Sequence, residues 1–290
     1  MRPRRSLLFA PGNRAEVHAK ALASGADCVC LDLEDAVPPD AKAAARATAV
    51  PFLTAAEGGP ERVVRINSLR SAEGVQDLAA ILDARPSGGV VFLPKVLDAG
   101  EVRLAGDILT GAAPGLSLGI LIETAEGLEN AADILTASDR IAFAMFGGVD
   151  LAADLGVAVA HEPLLYARSR LVLGAKRAGV DVLDAPCLAF RDEAAIGDEA
   201  RVARSLGFTG KAALHPAGLA AIHRAFAPSE AEVAQAERII AAYEASPNGL
   251  ATVDGRLVER PVVRAMRRVL ALRDAGWSQE EGPAAPGRPR

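Results

Sequence analysis

The sequence predicts an α/β fold, a closed (β/α)8 TIM barrel followed by a C-terminal helical extension. Apolar strand-like runs alternate with alanine-rich helical stretches in eight successive units. The runs are apolar almost from end to end, as strands covered on both faces of a parallel sheet are. No Gly-x-Gly-x-x-Gly fingerprint follows the first run, which favours a closed barrel over a dinucleotide-binding sheet. A chain of 290 residues suits one such barrel, which usually takes about 250. A doubly wound sheet with an added domain is the alternative.

Taken in order, strands are expected at Ser6 to Ala10, Cys28 to Leu33, Arg62 to Ile66 and Val90 to Leu93. The remaining four are Ser117 to Ile122, Ile141 to Phe146, Val180 to Leu183 and Lys211 to Leu214. Between them, Ala15 to Ser24, Ala41 to Ala56, Val75 to Asp83, Glu162 to Ala178 and Asp192 to Ser205 carry apolar residues at three- and four-residue spacing, the mark of a helix with one buried face. Gly179, Gly207 and Gly210 punctuate helix ends. Residues 229 to 245 read as a further helix, broken by Ser246-Pro247-Asn248-Gly249, and a last helix rich in arginine follows Pro261. The expected organisation is a barrel over residues 1–227, a helical segment over 228–277, and a disordered tail over 278–290, where Pro, Gly and Glu dominate.

Composition excludes several classes. The net charge is -5, so the surface is not built to neutralise the phosphates of a nucleic acid. Cys28, Cys30 and Cys187 are an odd set in a long chain, which argues for reduced thiols and a cytoplasmic protein. Cys28 and Cys30 sit inside an apolar run without C-x-x-C spacing, so small core residues explain them better than a zinc site with His215. Arg4-Arg5 resembles the start of an export signal, but only Leu7 to Ala10 run before Pro11, short of the about 7 to 15 apolar residues that a signal needs. No run approaches the ~20 residues of a membrane span.

Barrel enzymes assemble their chemistry at the C-terminal ends of the strands, and polar residues recur there: Asn13 and Arg14, then Asp32, Glu34 and Asp35, Arg65 and Asn67, Lys95, Glu123, Asp150, Asp184 and His215. Glu123 and Asp150 each end an almost wholly apolar stretch. Two carboxylates close together in a partly desolvated mouth repel and take up a proton unless a divalent cation neutralises them, so the pair reads as ligands of a hard metal ion. Acids that open the helix after a strand give the same pattern. Backbone amides of Gly147-Gly148-Val149 could grip a substrate carboxylate, or form a plain tight turn.

These residues resemble the citrate lyase beta-subunit and malyl-CoA lyase family of magnesium-dependent barrels, within the HpcH/HpaI aldolase superfamily. The resemblance spans roughly residues 4 to 272. It is carried by Arg5 to Arg14, Asp32-Leu33-Glu34-Asp35, Val64-Arg65-Ile66-Asn67, Leu93-Pro94-Lys95, Ile122-Glu123-Thr124-Ala125-Glu126-Gly127, Phe146-Gly147-Gly148-Val149-Asp150-Leu151 and Gly207 to Pro216. It implies that Glu123 and Asp150 hold Mg2+ and that Arg65 and Glu123 lie against the substrate; Arg65 is expected to be catalytic, and Gly148 and Asp150 to touch the substrate as well. It also implies that residues 228–277 form a lid over a neighbouring subunit in a homo-oligomer, a trimer or hexamer. The family places a catalytic aspartate in that lid; Glu259 stands at the position here.

The activity implied is a magnesium-dependent carbon-carbon lyase acting on a β-hydroxy acyl-CoA thioester of citramalyl, malyl or citryl type. Arginine suits the difficult step because its guanidinium is always charged and places two donors at once on an oxygen that gains charge. Glu34 and Asp35 could orient metal-bound water or simply open the second helix. Lys95 could form a Schiff base, although a metal already supplies the electron sink and an ion pair with a barrel acid is the plainer reading. His215 is expected to be structural. Two other activities fit the same residues: a metal-dependent pyruvate aldolase on free hydroxy-keto acids, and a citryl-ACP lyase subunit that needs a carrier-protein partner.

Overall fold

A computed structural model describes residues 4–54, 58–246 and 249–277. The end of the expected second helix, the Pro247-Asn248 break and the expected tail over 278–290 therefore lie outside the described residues. The chain divides into two compact units between Ile222 and His223.

In the first unit eight parallel strands close into a barrel in sequence order. They are β1 (Ser6–Pro11), β2 (Cys28–Asp32), β3 (Glu61–Arg65), β4 (Gly89–Leu93), β5 (Leu116–Ile122), β6 (Ile141–Phe146), β7 (Asp181–Asp184) and β8 (Gly210–Ala213). The helices between them are α1 (Ala15–Leu22), α2 (Lys42–Thr54), α3 (Ala72–Ala84), α4 (Ala99–Ala112), the short α5 (Ala125–Glu129) and α6 (Ala131–Ile134), α7 (Gly148–Leu155), α8 (His161–Ala178) and α9 (Glu193–Leu206). After β8 comes α10 (Leu219–Phe226). Side chains along a strand alternate in direction, and one set of every strand fills the barrel. Leu7, Cys28, Cys30, Val63, Val90, Phe92, Leu121, Phe143, Met145, Leu183 and Ala212 form that interior, with Phe9 packed against it. The rings of Phe9 and Phe92 lie 6.4 Å apart and those of Phe92 and Phe143 5.2 Å, so three tilted aromatic rings are in contact inside the barrel. Burial pushes the Cys28 and Cys30 thiols up, which leaves both protonated and inert.

Capping explains several boundaries. Asp98 and Asp192 accept from the first amides of α4 and α9, while Gly156, Gly179 and Gly207 end α7, α8 and α9 in the left-handed conformation that glycine adopts most readily. Gly210 does not end a helix; it opens β8.

The second unit pairs α11 (Glu230–Glu244), begun by a Ser229–Glu232 capping box, with α12 (Arg260–Asp274). A hairpin of β9 (Ala251–Val253) and β10 (Arg256–Val258) lies between them in sequence. Its Asp254-Gly255 turn has both φ angles positive, 50° and 74°, as a two-residue hairpin loop requires. Ile239, Val258 and Val263 make its small core with Tyr243 and Met266.

Candidate active site

Inward alternation carries the site. On β2 the residue after Cys28 and Cys30 in the inward set is Asp32; on β3, Arg65 follows Val63. Continuing β5 by one step past Leu121 gives Glu123. The top layer of the barrel interior is thus charged where the lower layers are apolar.

Asp32 and Arg65 are register partners on β2 and β3. Adjacency makes a fork-to-fork pair: Arg65 Nε donates to Asp32 Oδ1 and Nη2 to Oδ2, both at 2.7 Å. Nη1 lies 3.2 Å from Glu34 Oε2, and the guanidinium carbon sits 5.1 Å from the Phe9 ring centre. Burial alone would lower the Arg65 pKa, but the hydrogen bonds and charge of Asp32 reverse this and raise it. Arg65 is therefore a fixed cation, and it carries more N–H donors than these partners use.

Glu123 is 1 % exposed. Its Oε1 accepts the Lys95 backbone N–H at 2.8 Å, while Oε2 is buried without any hydrogen-bond partner. Burial, then the charges of Glu34 and Asp150, push its pKa up to about 8. Gly147 packs directly over it: a Cβ there would meet Glu123 Cβ at 2.3 Å and Oε2 at 3.0 Å. Asp150 stands in the first turn of α7, half-buried, and that helix begins without a side-chain cap. Its first amides, including those of Gly148 and Val149, consequently lack a partner from a capping side chain. Glu123, Asp150, Arg65, Asp32 and Gly147 to Val149 all line one cavity of about 440 Å3.

The cavity suits a hard divalent cation. The lining carboxylates of Asp32, Asp35, Glu123 and Asp150 outnumber the lining cation Arg65, and Glu123 Oε2 is buried without a hydrogen-bond partner. Among the described residues no group of three or more His, Cys, Asp or Glu is gathered as a metal cage. Two carboxylates with water completing the shell is how Mg2+ is ordinarily held; zinc, which needs a fuller set of protein ligands, is not favoured.

Other rim residues have different work. Lys95 Nζ donates to Glu34 Oε1 at 2.6 Å, and Glu34 and Asp35 hold its pKa up against burial, so it is an ammonium and not a free amine nucleophile. Asn67 is buried against Leu33 O and Asp77. Asp184 follows the inward Leu183 and so faces the helices, where it binds Arg168 Nη2 at 2.6 Å and the fully buried Lys211 ammonium at 2.9 Å. Arg168, Asp184 and Lys211 line a second cavity of about 370 Å3, which adjoins the first and shares Phe146, Gly148, Val149 and Ala185 with it. His215 accepts from the Ala217 N–H and caps a short 3-10 turn. Glu259, in the second unit, is exposed at the N-cap of α12 and makes no capping bond. The Asp32 fork, the Lys95 N–H and the close approach of Gly147 were not assigned from sequence; strand adjacency and parity alone could have indicated the first.

Residues 5–216 match the family model described as HpcH/HpaI aldolase/citrate lyase. The chain belongs to this family. Similar members include a (3S)-malyl-CoA thioesterase of Cereibacter sphaeroides, 36% identical and covering 94% of this chain and 95% of that protein. The mitochondrial citramalyl-CoA lyase of Homo sapiens is 31% identical, covering 93% and 85%. Among solved structures, CitE from Mycobacterium tuberculosis in complex with magnesium, acetoacetate and coenzyme A superposes with a TM-score of 0.80 at 33% identity, over 94% of this chain and 98% of that one. As a member of the HpcH/HpaI family, the chain is an enzyme of the lyase class. No described helix is long and apolar enough to cross a membrane.

Proposed function

We propose that this enzyme cleaves the bond between the α and β carbons of a short β-hydroxy acyl-CoA thioester, of citramalyl, malyl or citryl type, in a magnesium-dependent reaction. The observation that carries the reading is the buried, half-satisfied Glu123 carboxylate beside Asp150 in a cavity that Arg65 also lines. Glu123 and Asp150 would hold the ion. Bound there, Mg2+ supplies positive charge for the substrate oxygens at which negative charge collects.

The chain's own groups do the rest. The first amides of α7, at Gly148 and Val149, bind the carboxylate next to the breaking bond, since they point outward from an uncapped helix start. Arg65, locked by Asp32, holds the oxygen that turns negative; one such donor contributes about 3 to 4 kcal/mol to barrier lowering. The β-hydroxyl loses its proton as the Cα–Cβ bond breaks, giving a keto acid and a thioester enolate. The enolate carbon then takes a proton, which yields the acyl-CoA. Glu259, from the C-terminal segment 228–277 of a neighbouring copy acting as a lid, is the group we assign to both transfers: its carboxylate takes the β-hydroxyl proton and then returns it to the enolate carbon. The assembly this requires is a homo-oligomer, a trimer or hexamer.

The 36% identity to a malyl-CoA thioesterase supports a second reading, hydrolysis of the thioester itself. Products separate the two. Purified enzyme is incubated with citramalyl-, malyl- and citryl-CoA, with and without Mg2+: cleavage yields keto acid and acyl-CoA, hydrolysis yields hydroxy acid and free thiol. Undiminished turnover in Glu123→Ala or Asp150→Ala would eliminate the metal mechanism.

A further inference from the structure

We propose that Lys95 is a positioning residue that holds Glu123 and Arg65 in register, gripping the first through its backbone N–H and the second through its ammonium by way of Glu34. The proposal rests on the metal-site reading above and adds a residue to it. Lys95 follows β4, which lies between β3, the strand of Arg65, and β5, the strand that leads to Glu123. It is placed to touch both neighbours.

Two independent features support this. The buried side-chain oxygens without a hydrogen-bond partner among the described residues are Glu34 Oε2 and Glu123 Oε2. In each case the sister oxygen is held by Lys95, Glu123 Oε1 by its N–H at 2.8 Å and Glu34 Oε1 by its Nζ at 2.6 Å. One residue thus fixes both carboxylates by one oxygen and leaves the other oxygen of each for the site: Glu34 Oε2 faces Arg65 Nη1 at 3.2 Å, out of hydrogen-bond alignment but within ion-pair range. Secondly, Lys95 has φ 53°, a left-handed conformation that disfavours a residue with a Cβ. The other described non-glycine residues with positive φ, Arg85 and Asp254, sit at a helix end and a hairpin turn, where such angles are routine. Lys95 adopts it just past the C-terminal end of β4, and its N–H is aimed at Glu123 instead of into a strand ladder.

A lysine that merely paired with a surface acid would affect stability alone. The test uses full-length enzyme and two probes, Mg2+ alone and then pyruvate at saturating Mg2+, both by calorimetry. Lys95→Met and Lys95→Gly keep the backbone N–H, so Mg2+ affinity stays within about threefold, whereas pyruvate affinity falls about 10- to 100-fold as Glu34 and Arg65 loosen. Glu34→Gln reproduces the pyruvate loss, and Lys95→Arg, which keeps the charge, recovers most of it. Lys95→Gly melts no lower than Lys95→Met despite its freer unfolded chain, because glycine relieves the left-handed angle. Unchanged pyruvate affinity in Lys95→Met overturns the link through Glu34. Loss of Mg2+ affinity in Lys95→Met as large as in Glu123→Gln overturns the link through the N–H. If Glu123→Gln itself binds Mg2+ like wild type, the metal reading has failed, and the paired melting temperatures still decide whether the backbone of Lys95 is held under strain.

Discussion

Binding of Mg2+ at neutral pH should release a proton, because burial and neighbouring negative charge push the carboxyl that would receive the ion up to about 8. Glu123 is raised from its ordinary 4.5 to about 8 by burial and by the charges of Glu34 and Asp150. Below pH 8 the ion must therefore displace a proton, and each unit of pH lowered weakens apparent affinity by about tenfold, about 1.4 kcal/mol. Stability of the metal-free enzyme runs the opposite way. A carboxyl whose folded pKa lies above its unfolded value contributes stability that is fully present below about 4.5 and is lost as pH rises through 8, on the order of 5 kcal/mol over the whole window. Saturating Mg2+ should abolish that loss. The assay is calorimetric titration with Mg2+ at pH 6, 7 and 8 in buffers of different ionisation enthalpy, which counts protons released, beside thermal unfolding of metal-free enzyme over the same range. Glu123→Gln should show neither slope and should be the more stable protein at pH 8 without metal. Affinity that is flat between pH 6 and 8, with no proton released, would mean that Glu123 is already ionised and that its burial does not govern the site.

Other perturbations test neighbouring parts of the argument. Gly147→Ala places a Cβ 2.3 Å from that of Glu123, so something must shift; expected are a stability loss of about 1 to 3 kcal/mol and weaker Mg2+ binding, read by melting and calorimetry. Lys211→Met strips an ammonium from between Asp184, Ala185 O and Glu199, and should cost about 3 to 5 kcal/mol in denaturant unfolding. Mixing inactive Glu259→Gln with inactive Arg65→Ala should restore part of the activity if two copies share a site; no recovery in verified mixed oligomers would remove Glu259 from the mechanism.

Strands were readable because runs such as Ile141–Phe146 are apolar on both sides, and a parallel barrel needs that at every strand. The charged rim was readable for the same reason: a carboxylate that ends such a run has few other places to be. Direction was not. Asp184 and Glu123 look alike in the sequence, yet Asp184 falls one step out of phase with the inward Leu183 and belongs to the helix layer. The hairpin at 251–258 was missed because strands of three residues carry no periodicity, although Asp254-Gly255 is a turn signal in itself. Least legible was Lys95, whose contribution to Glu123 comes from a backbone angle that no side-chain pattern betrays.

Phe9 beneath Arg65, with Phe92 and Phe143 tilted against one another and against it and closed in by aliphatic neighbours, gives the cavity an apolar, filled floor. Whatever enters must leave by the doorway it came through. On the proposed reaction, products would therefore leave by that rim, and any group seated on the floor would leave last.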